Sequence, residues 1–346
     1  MATRSKVPKT TIVDIAAASG VSVATVSRIL NDKPDVAEST RERVLRVMDE
    51  IGFAPQSAWR QIRSGRTGLI AVHRPEEFNP PAHRLVLAAA LGVEDAGYSI
   101  NIITRSLSDS DLLAIFRSRQ ADGIILLEVQ VSDPRPEVLR DHGYPFVMIG
   151  HRGDNTGLSF ADIDVEHGIG LAMEHLIGLG HRRIGFLTTD PVVEDKVYGF
   201  AAWALGAYET ACTRAGLQPV IATAGPTIDA MSSEAARLID AHADLSAVIT
   251  PQLQSAIGVL KVSWARGIVI PRDLSVVAVL SDPMSELATP PLTSINFPAE
   301  DLGRAAAQIL IDRLDHGELT PRQVFIRPEL TVRGTTAPPR GASRVG

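Results

Sequence analysis

Cysteine is nearly absent from this chain: Cys212 is the one thiol in 346 residues. A lone cysteine excludes an intramolecular disulfide, and no Cys/His group has zinc-ligand spacing. A reducing, cytoplasmic setting is the expectation. No apolar run approaches the ~18 residues that cross a bilayer, so no membrane partner is expected. The first residues are basic but lack the apolar core of a secretory signal. There is no GxxxxGK[ST] phosphate loop and no GxSxG nucleophile turn. The nine histidines are scattered. These absences leave no catalytic constellation. The chain does not read as an enzyme, and no cofactor or metal is implied.

What is present is ordinary folding material with an uneven charge. A hydrophobic content of 45% supports sizeable cores, and the length suits two or three domains. The net charge is −6, yet residues 1–66 hold 11 Lys and Arg against 7 Asp and Glu. The head is therefore +4 and the remainder −10. A basic head on an acidic body points to an anionic partner for the head alone. A merely solvated basic terminus is the competing reading.

Residues 1–10 read as a disordered basic arm. Thr11 can cap a helix, with Asp14 three residues on, as a capping box requires. Gly20 ends that helix, and Ser22 can cap the next, whose inner face carries Val26 and Leu30. A third helix over 38–51 has Val44, Leu45, Val47, Met48 and Ile51 at helical spacing. Helix, glycine turn, helix and a third helix form a helix-turn-helix unit over 11–54. In that arrangement the second helix enters the major groove. Val23, Ala24, Ser27 and Arg28 can face outward from it. Arg28 offers a fork that fits guanine, the small apolar pair fits thymine methyls, and Ser22, Thr25 and Ser27 offer hydroxyls. A three-helix domain that binds another protein is the alternative.

Residues 55–66, "PQSAWRQIRSGR", form a basic linker. From Gly68 the texture changes to apolar runs alternating with amphipathic helical stretches. One helix is expected over 196–215, and the last strand lies in "RQVFIRPEL". Repeated βα units imply parallel sheets covered by helices. Two doubly wound subdomains are the natural solution, with ligand space at the carboxyl ends of the strands. The predicted architecture is an all-α helix-turn-helix headpiece plus an α/β effector domain of two doubly wound parallel-sheet subdomains. Residues 336–346 are expected to form a disordered tail.

"TIVDIAAASGVSVATVSRILN" followed by "TRERVLRVMDEIGFAPQSAWRQIRSGRTGLIAV" resembles the LacI/GalR family of bacterial transcriptional regulators. The likeness continues through "ADGIIL", "EHLIGLGHRRIGFL", "IPRDLSVVAV" and "ATPPLTSINFPAEDLGRAAAQIL", reaching about Thr335. It implies a repressor that binds a pseudo-palindromic double-stranded DNA operator as a homodimer. A small-molecule effector, sugar or related, would control it. Val23 and Ala24 hold the family's main base-reading positions, and Thr11, Ser22, Thr25, Ser27, Arg28 and Asn31 hold further DNA contacts. The linker matches the hinge helix, with Ser57, Trp59 and Ile62 as expected contacts. Ile62 stands where a minor-groove leucine wedge is usual. Trp59 replaces a small residue.

The effector domain, over 67–335, is implied to be periplasmic-binding-protein-like. Its N-subdomain covers about 68–165 and 297–325, and its C-subdomain about 166–296 and 326–335. The crossings fall near Glu166, Asn296 and Ile326. At the cleft the chain departs from the family. An expected Arg is Ala204, an Asn-Asp pair is Gln252-Leu253, and the first acid of an Asp-Asp pair is Leu280, followed by Ser281. Asp164 keeps its family position, but the Asn after it is Val165. Arg, Asn and Asp make charge-assisted bonds to sugar hydroxyls, so their loss leaves three readings: a different or more apolar effector, compensation by other residues, or a weak small-molecule response. Phe78, Asn79, Asp164, Trp203, Gln252 and Asp282 are the expected cleft residues, each with an ordinary loop or core role as the competing reading. A sugar- or nucleoside-binding protein with a vestigial headpiece is the alternative function.

Overall fold

A computed structural model describes residues 11–30, 36–51, 66–74, 80–193 and 196–340. Helices α1 (Ile12–Ser19), α2 (Val23–Leu30) and α3 (Glu38–Glu50) come first. Helices this short are marginal alone in water. They persist by burying Ile15, Ala16, Val26, Ile29, Val44 and Met48 against one another. Ile29 is a core residue not read from the sequence. The side chain of Leu30, expected there, lies outside the described residues, as do the basic arm 1–10, residues 52–54 of the headpiece and linker residues 55–65.

The body holds two six-stranded sheets. The first contains β1 (Leu69–His73), β2 (Ser99–Ile103), β3 (Gly123–Leu126), β4 (Phe146–Ile149), β5 (Phe160–Ile163) and, from near the C-terminus, β13 (Gln323–Ile326). Its order is β13-β5-β4-β3-β1-β2, with every pairing parallel. Strands "GIIL" and "FVMI" are buried at every position, as central parallel strands between helical layers must be. The helices between these strands are α4 (Pro80–Asp95), α5 (Asp109–Arg117) and α6 (Arg135–Asp141).

Helix α7 (Val165–Gly178) carries the chain to the second sheet. That sheet contains β6 (Ile184–Thr189), β9 (Val220–Ala224), β10 (Ala247–Thr250), β11 (Ser275–Val279), β12 (Thr293–Ile295) and β14 (Leu330–Thr331). Only β14 runs antiparallel. A small antiparallel pair, β7 (Val192–Val193) and β8 (Lys196–Val197), precedes α8 (Gly199–Ala215). The helix expected from residue 196 thus begins at Gly199, because Lys196 and Val197 pair with Val193 and Val192. Helices α9 (Ile228–Ala241), α10 (Leu253–Ala265) and the short α11 (Asp282–Glu286) follow, and α12 (Ala299–His316) leads back to the first sheet.

The chain passes between the sheets after Ile163, after Ile295 and after Ile326. The three passages are hydrogen-bonded: the Asp164 amide donates to Ile326 O at 2.9 Å, and the Asn296 amide to Glu329 O at 2.8 Å. One continuous core cluster runs from Ile70 and Val147 in the first sheet to Phe186 and Tyr208 in the second subdomain.

The tail departs from the sequence-based expectation. Thr335 is fully buried, and its carbonyl accepts from the Val276 amide at 2.8 Å. Ala337 O accepts from His181 Nε2 at 2.9 Å and Ser275 Oγ at 3.1 Å. Arg340 pairs with Asp273 at 2.8 Å. Residues 336–340 are therefore tied down by long-range partners that local composition does not reveal. Residues 341–346 lie outside the described residues.

Candidate DNA-reading helix and ligand cleft

The headpiece follows from its caps. Thr11 and Asp14 form the reciprocal capping box, and Gly20 ends α1 in the left-handed region at φ +65°. The Thr25 amide donates to Ser22 Oγ at 3.0 Å, opening α2. The axes of α1 and α2 bend by 101°, within the helix-turn-helix range. Val26 and Ile29 turn inward, and Val23, Ala24 and Arg28 are exposed. Thr25 and Ser27 are half-buried beside them. Ser22 and Thr11 are exposed, with their hydroxyls engaged in caps. The expected contacts Asn31, Ser57, Trp59 and Ile62 lie outside the described residues.

The six expected cleft residues divide. Phe78 and Asn79 lie outside the described residues. Gln252 is held inside the second subdomain: its Nε2 donates to Thr188 Oγ1 at 3.0 Å and to Thr189 Oγ1 at 3.2 Å. Asp164 caps α7 through the His167 amide at 3.0 Å and faces Arg327 at 3.5 Å. Asp282 accepts from Arg333 at 2.6 Å. The Asp164 carboxylate thus serves a passage between the sheets, and that of Asp282 is held within the second subdomain. Trp203, on α8, reaches across the cleft and stacks on His151, with centroids 4.9 Å apart and planes at 10°. Its indole N–H is buried and finds no acceptor among the described residues.

Several cleft residues escaped sequence reasoning. His151 follows β4, and its Nδ1 lies 2.7 Å from Asp162 Oδ2. Its ring also meets Phe160 and Phe325. The loop after β3 touches the other subdomain directly: the Gly199 amide donates to Val129 O at 3.1 Å and the Val131 amide to Val197 O at 2.8 Å. A Cβ on Gly199 would lie 3.1 Å from Val129 O and Trp203 Nε1, and 3.2 Å from His151 O, so glycine permits this approach.

That loop is braced from below. Buried Arg135 grips Asp133 through Nε at 2.9 Å and Nη2 at 2.5 Å. Its Nη2 also donates to the carbonyls of Leu127 and Glu128, both at 3.0 Å, holding Glu128 at φ +51°. Burial works against the Asp133 carboxylate, but the bonds and charge of Arg135 outweigh it and keep its pKa below the usual range. Arg135 Nη1 donates to His73 Nδ1 at 3.0 Å. Burial first, and Arg135 second, lower the His73 pKa to about 4, so the ring is neutral. The available signal was position: His73, Glu128 and His151 directly follow apolar strand runs, at the carboxyl ends where doubly wound sheets bind ligands.

Comparison with known proteins agrees with both parts. The profile described as "Bacterial regulatory proteins, lacI family" matches residues 11–56. The profile described as "Periplasmic binding protein-like domain" matches residues 173–336. The chain is 33% identical over 349 aligned residues to the HTH-type transcriptional regulator MalR of Streptomyces coelicolor, covering 95% of this chain and 97% of the relative. It is 30% identical over 331 residues to CelR of Thermobifida fusca, covering 92% and 96%. A solved complex of the transcriptional regulator CelR with cellobiose superposes with a TM-score of 0.70 at 28% identity, over 94% of this chain and 100% of that one. The lac repressor dimer bound to operator and the anti-inducer ONPF shares the fold, with a TM-score of 0.80 at 22% identity over 95% of this chain and 100% of that one. The family is made up of transcriptional regulators, not enzymes. The chain belongs to the lacI family of bacterial regulatory proteins, as a DNA-binding transcriptional regulator.

Proposed function

We propose that this regulator is a cytoplasmic repressor that binds a pseudo-palindromic operator as a homodimer and responds to a carbohydrate-related effector in the cleft. The observation that carries the DNA reading is α2 itself: a capped helix on its own small core, with Val23, Ala24 and Arg28 turned to solvent. Val23 and Ala24 read bases by apolar contact, and Arg28 takes guanine bidentately. Ser22, Thr25, Ser27, Asn31 and Thr11 position the helix on phosphates. Ser57, Trp59 and Ile62 belong to a linker that engages the minor groove between half-sites.

Trp203 supports the effector reading. A flat indole braced by His151 offers an apolar face for a sugar ring, with an N–H that lacks an acceptor among the described residues. The carboxylates of Asp164 and Asp282 are already committed to arginines. The effector is therefore gripped more by stacking than by charge. The solved complex of a transcriptional regulator CelR with cellobiose is in keeping with a saccharide.

Selection of bound sequences from a random DNA pool tests the operator reading. A two-fold-related consensus is expected, and Arg28→Ala should lose about 1–3 kcal/mol of specific affinity in fluorescence anisotropy. An unselective wild type would overturn the reading, and undiminished binding by the variant would remove Arg28 from the base contacts.

A further inference from the structure

Where the linker enters the body, the chain is clasped at consecutive residues. The amides of Thr67 and Gly68 each donate to one oxygen of Asp122, both at 2.7 Å. Just before them, Arg66 Nη1 donates to Asp315 Oδ1 at 2.7 Å and to Tyr98 Oη at 3.0 Å. Its Nη2 donates to Leu314 O. Tyr98 in turn donates to Asp315 Oδ1 at 2.6 Å. The Tyr98 hydroxyl stays protonated, because burial, then the bond to Asp315 and its charge, raise its pKa to about 12.

Leu314 and Asp315 lie in the last turn of α12, whose carbonyls favour a cation. The other end of α12 starts at the second passage between the subdomains. There Phe297 packs edge-on against Phe200 of α8 with centroids 6.2 Å apart, and Asn296 Oδ1 accepts from the Asp282 amide at 3.0 Å. One continuous helix therefore runs from the cleft margin to the clasp. It is seated closely on α4: a Cβ on Gly303 would lie 2.6 Å from Leu85 O.

We propose that Arg66 is a positioning residue for DNA binding: through Asp315, Tyr98 and the end of α12 it fixes where the linker leaves the body. The direction in which the linker is presented then follows α12, and with it the passage beside the cleft. This inference rests on the DNA reading above. Arg66 is needed for its fork of donors, which serves three acceptors at once; lysine offers a point charge without that geometry.

The test uses Asp315→Asn in the full chain, with DNA chosen by the wild type from a random pool. Simple electrostatics predicts tighter binding, since an acidic charge is removed from a DNA-binding protein. Positioning predicts the opposite: affinity for the selected sequence falls about tenfold, as expected for a lost charge-assisted bond, while random-sequence affinity stays level. Arg66→Lys should fall in the same direction, and Asp315→Glu should recover most of the loss. Hydrogen exchange over residues 52–65 in the DNA complex should quicken in Asp315→Asn. Equal or tighter binding of the selected sequence by Asp315→Asn overturns the proposal. Where that variant lowers the unfolding temperature as well, Tyr98→Phe decides, since it removes one hydroxyl and no charge; unchanged selectivity there also overturns it. A wild type that selects no sequence would instead defeat the DNA reading.

Discussion

At the residue scale, the informative groups are those that touch across long sequence distances. His73 and Arg135 are 62 residues apart, yet one imidazole nitrogen completes the donors of a buried guanidinium. Nothing local announces such a pair, whereas Thr11, Asp14, Gly20 and Ser22 signal their caps within a few residues and were legible. His73 carries a pH prediction. In the unfolded chain a histidine takes up its proton near pH 6.5, and in the folded protein His73 resists until about pH 4. Below pH 6.5 the unfolded state therefore binds more protons, and stability falls as pH drops from 6.5 to 4. The loss from this group reaches about 3 kcal/mol at most. Urea unfolding midpoints across that window should decline less steeply for His73→Gln, which keeps an acceptor for Arg135. Parallel declines would assign the effect to other groups.

At the element scale, the periodic helices of the body were legible to within a few residues, because each buries one apolar face against a sheet. The helix expected over 196–215 is observed at Gly199–Ala215. What stayed hidden were elements fixed by a neighbour: the β7–β8 pair, short α11, and the tail bonded to Ser275 and His181. The candidate cleft was legible only in outline. Its strand ends could be located, but Trp203 meets His151 because two subdomains close on each other, a relation no window of sequence contains. Gly199→Ala tests that closure. The added methyl must push on Val129 O and His151 O across the cleft, at a cost of about 1–3 kcal/mol. The amides of Gly199 and Val131 should then exchange faster than in the wild type while the strands of both sheets keep their protection. Unaltered exchange at those two amides would show that the contact does not hold the cleft.

At the scale of the whole molecule, charge is segregated: +4 over residues 1–66 against −10 beyond them. Attraction to DNA comes from the head, while the body repels it. If about 6–10 phosphates are contacted, affinity for selected DNA should fall roughly a thousandfold or more between 50 and 200 mM salt. Anisotropy titrations at stepped salt measure this, and a shallow slope would mean few phosphate contacts. The long helix between cleft and linker adds a mechanical consequence. With 18 residues, α12 is about 27 Å from end to end. Treated as a lever pivoting at the passage after Ile295, a tilt of about 5° swings its far end by roughly 2 Å. The bonds from Arg66 to Asp315 and Tyr98 measure 2.7 and 3.0 Å and do not survive a 2 Å stretch. A rearrangement too small to notice among the aromatic rings of the cleft would therefore be magnified, at the mouth of the linker, into a displacement that the clasp must either follow or release.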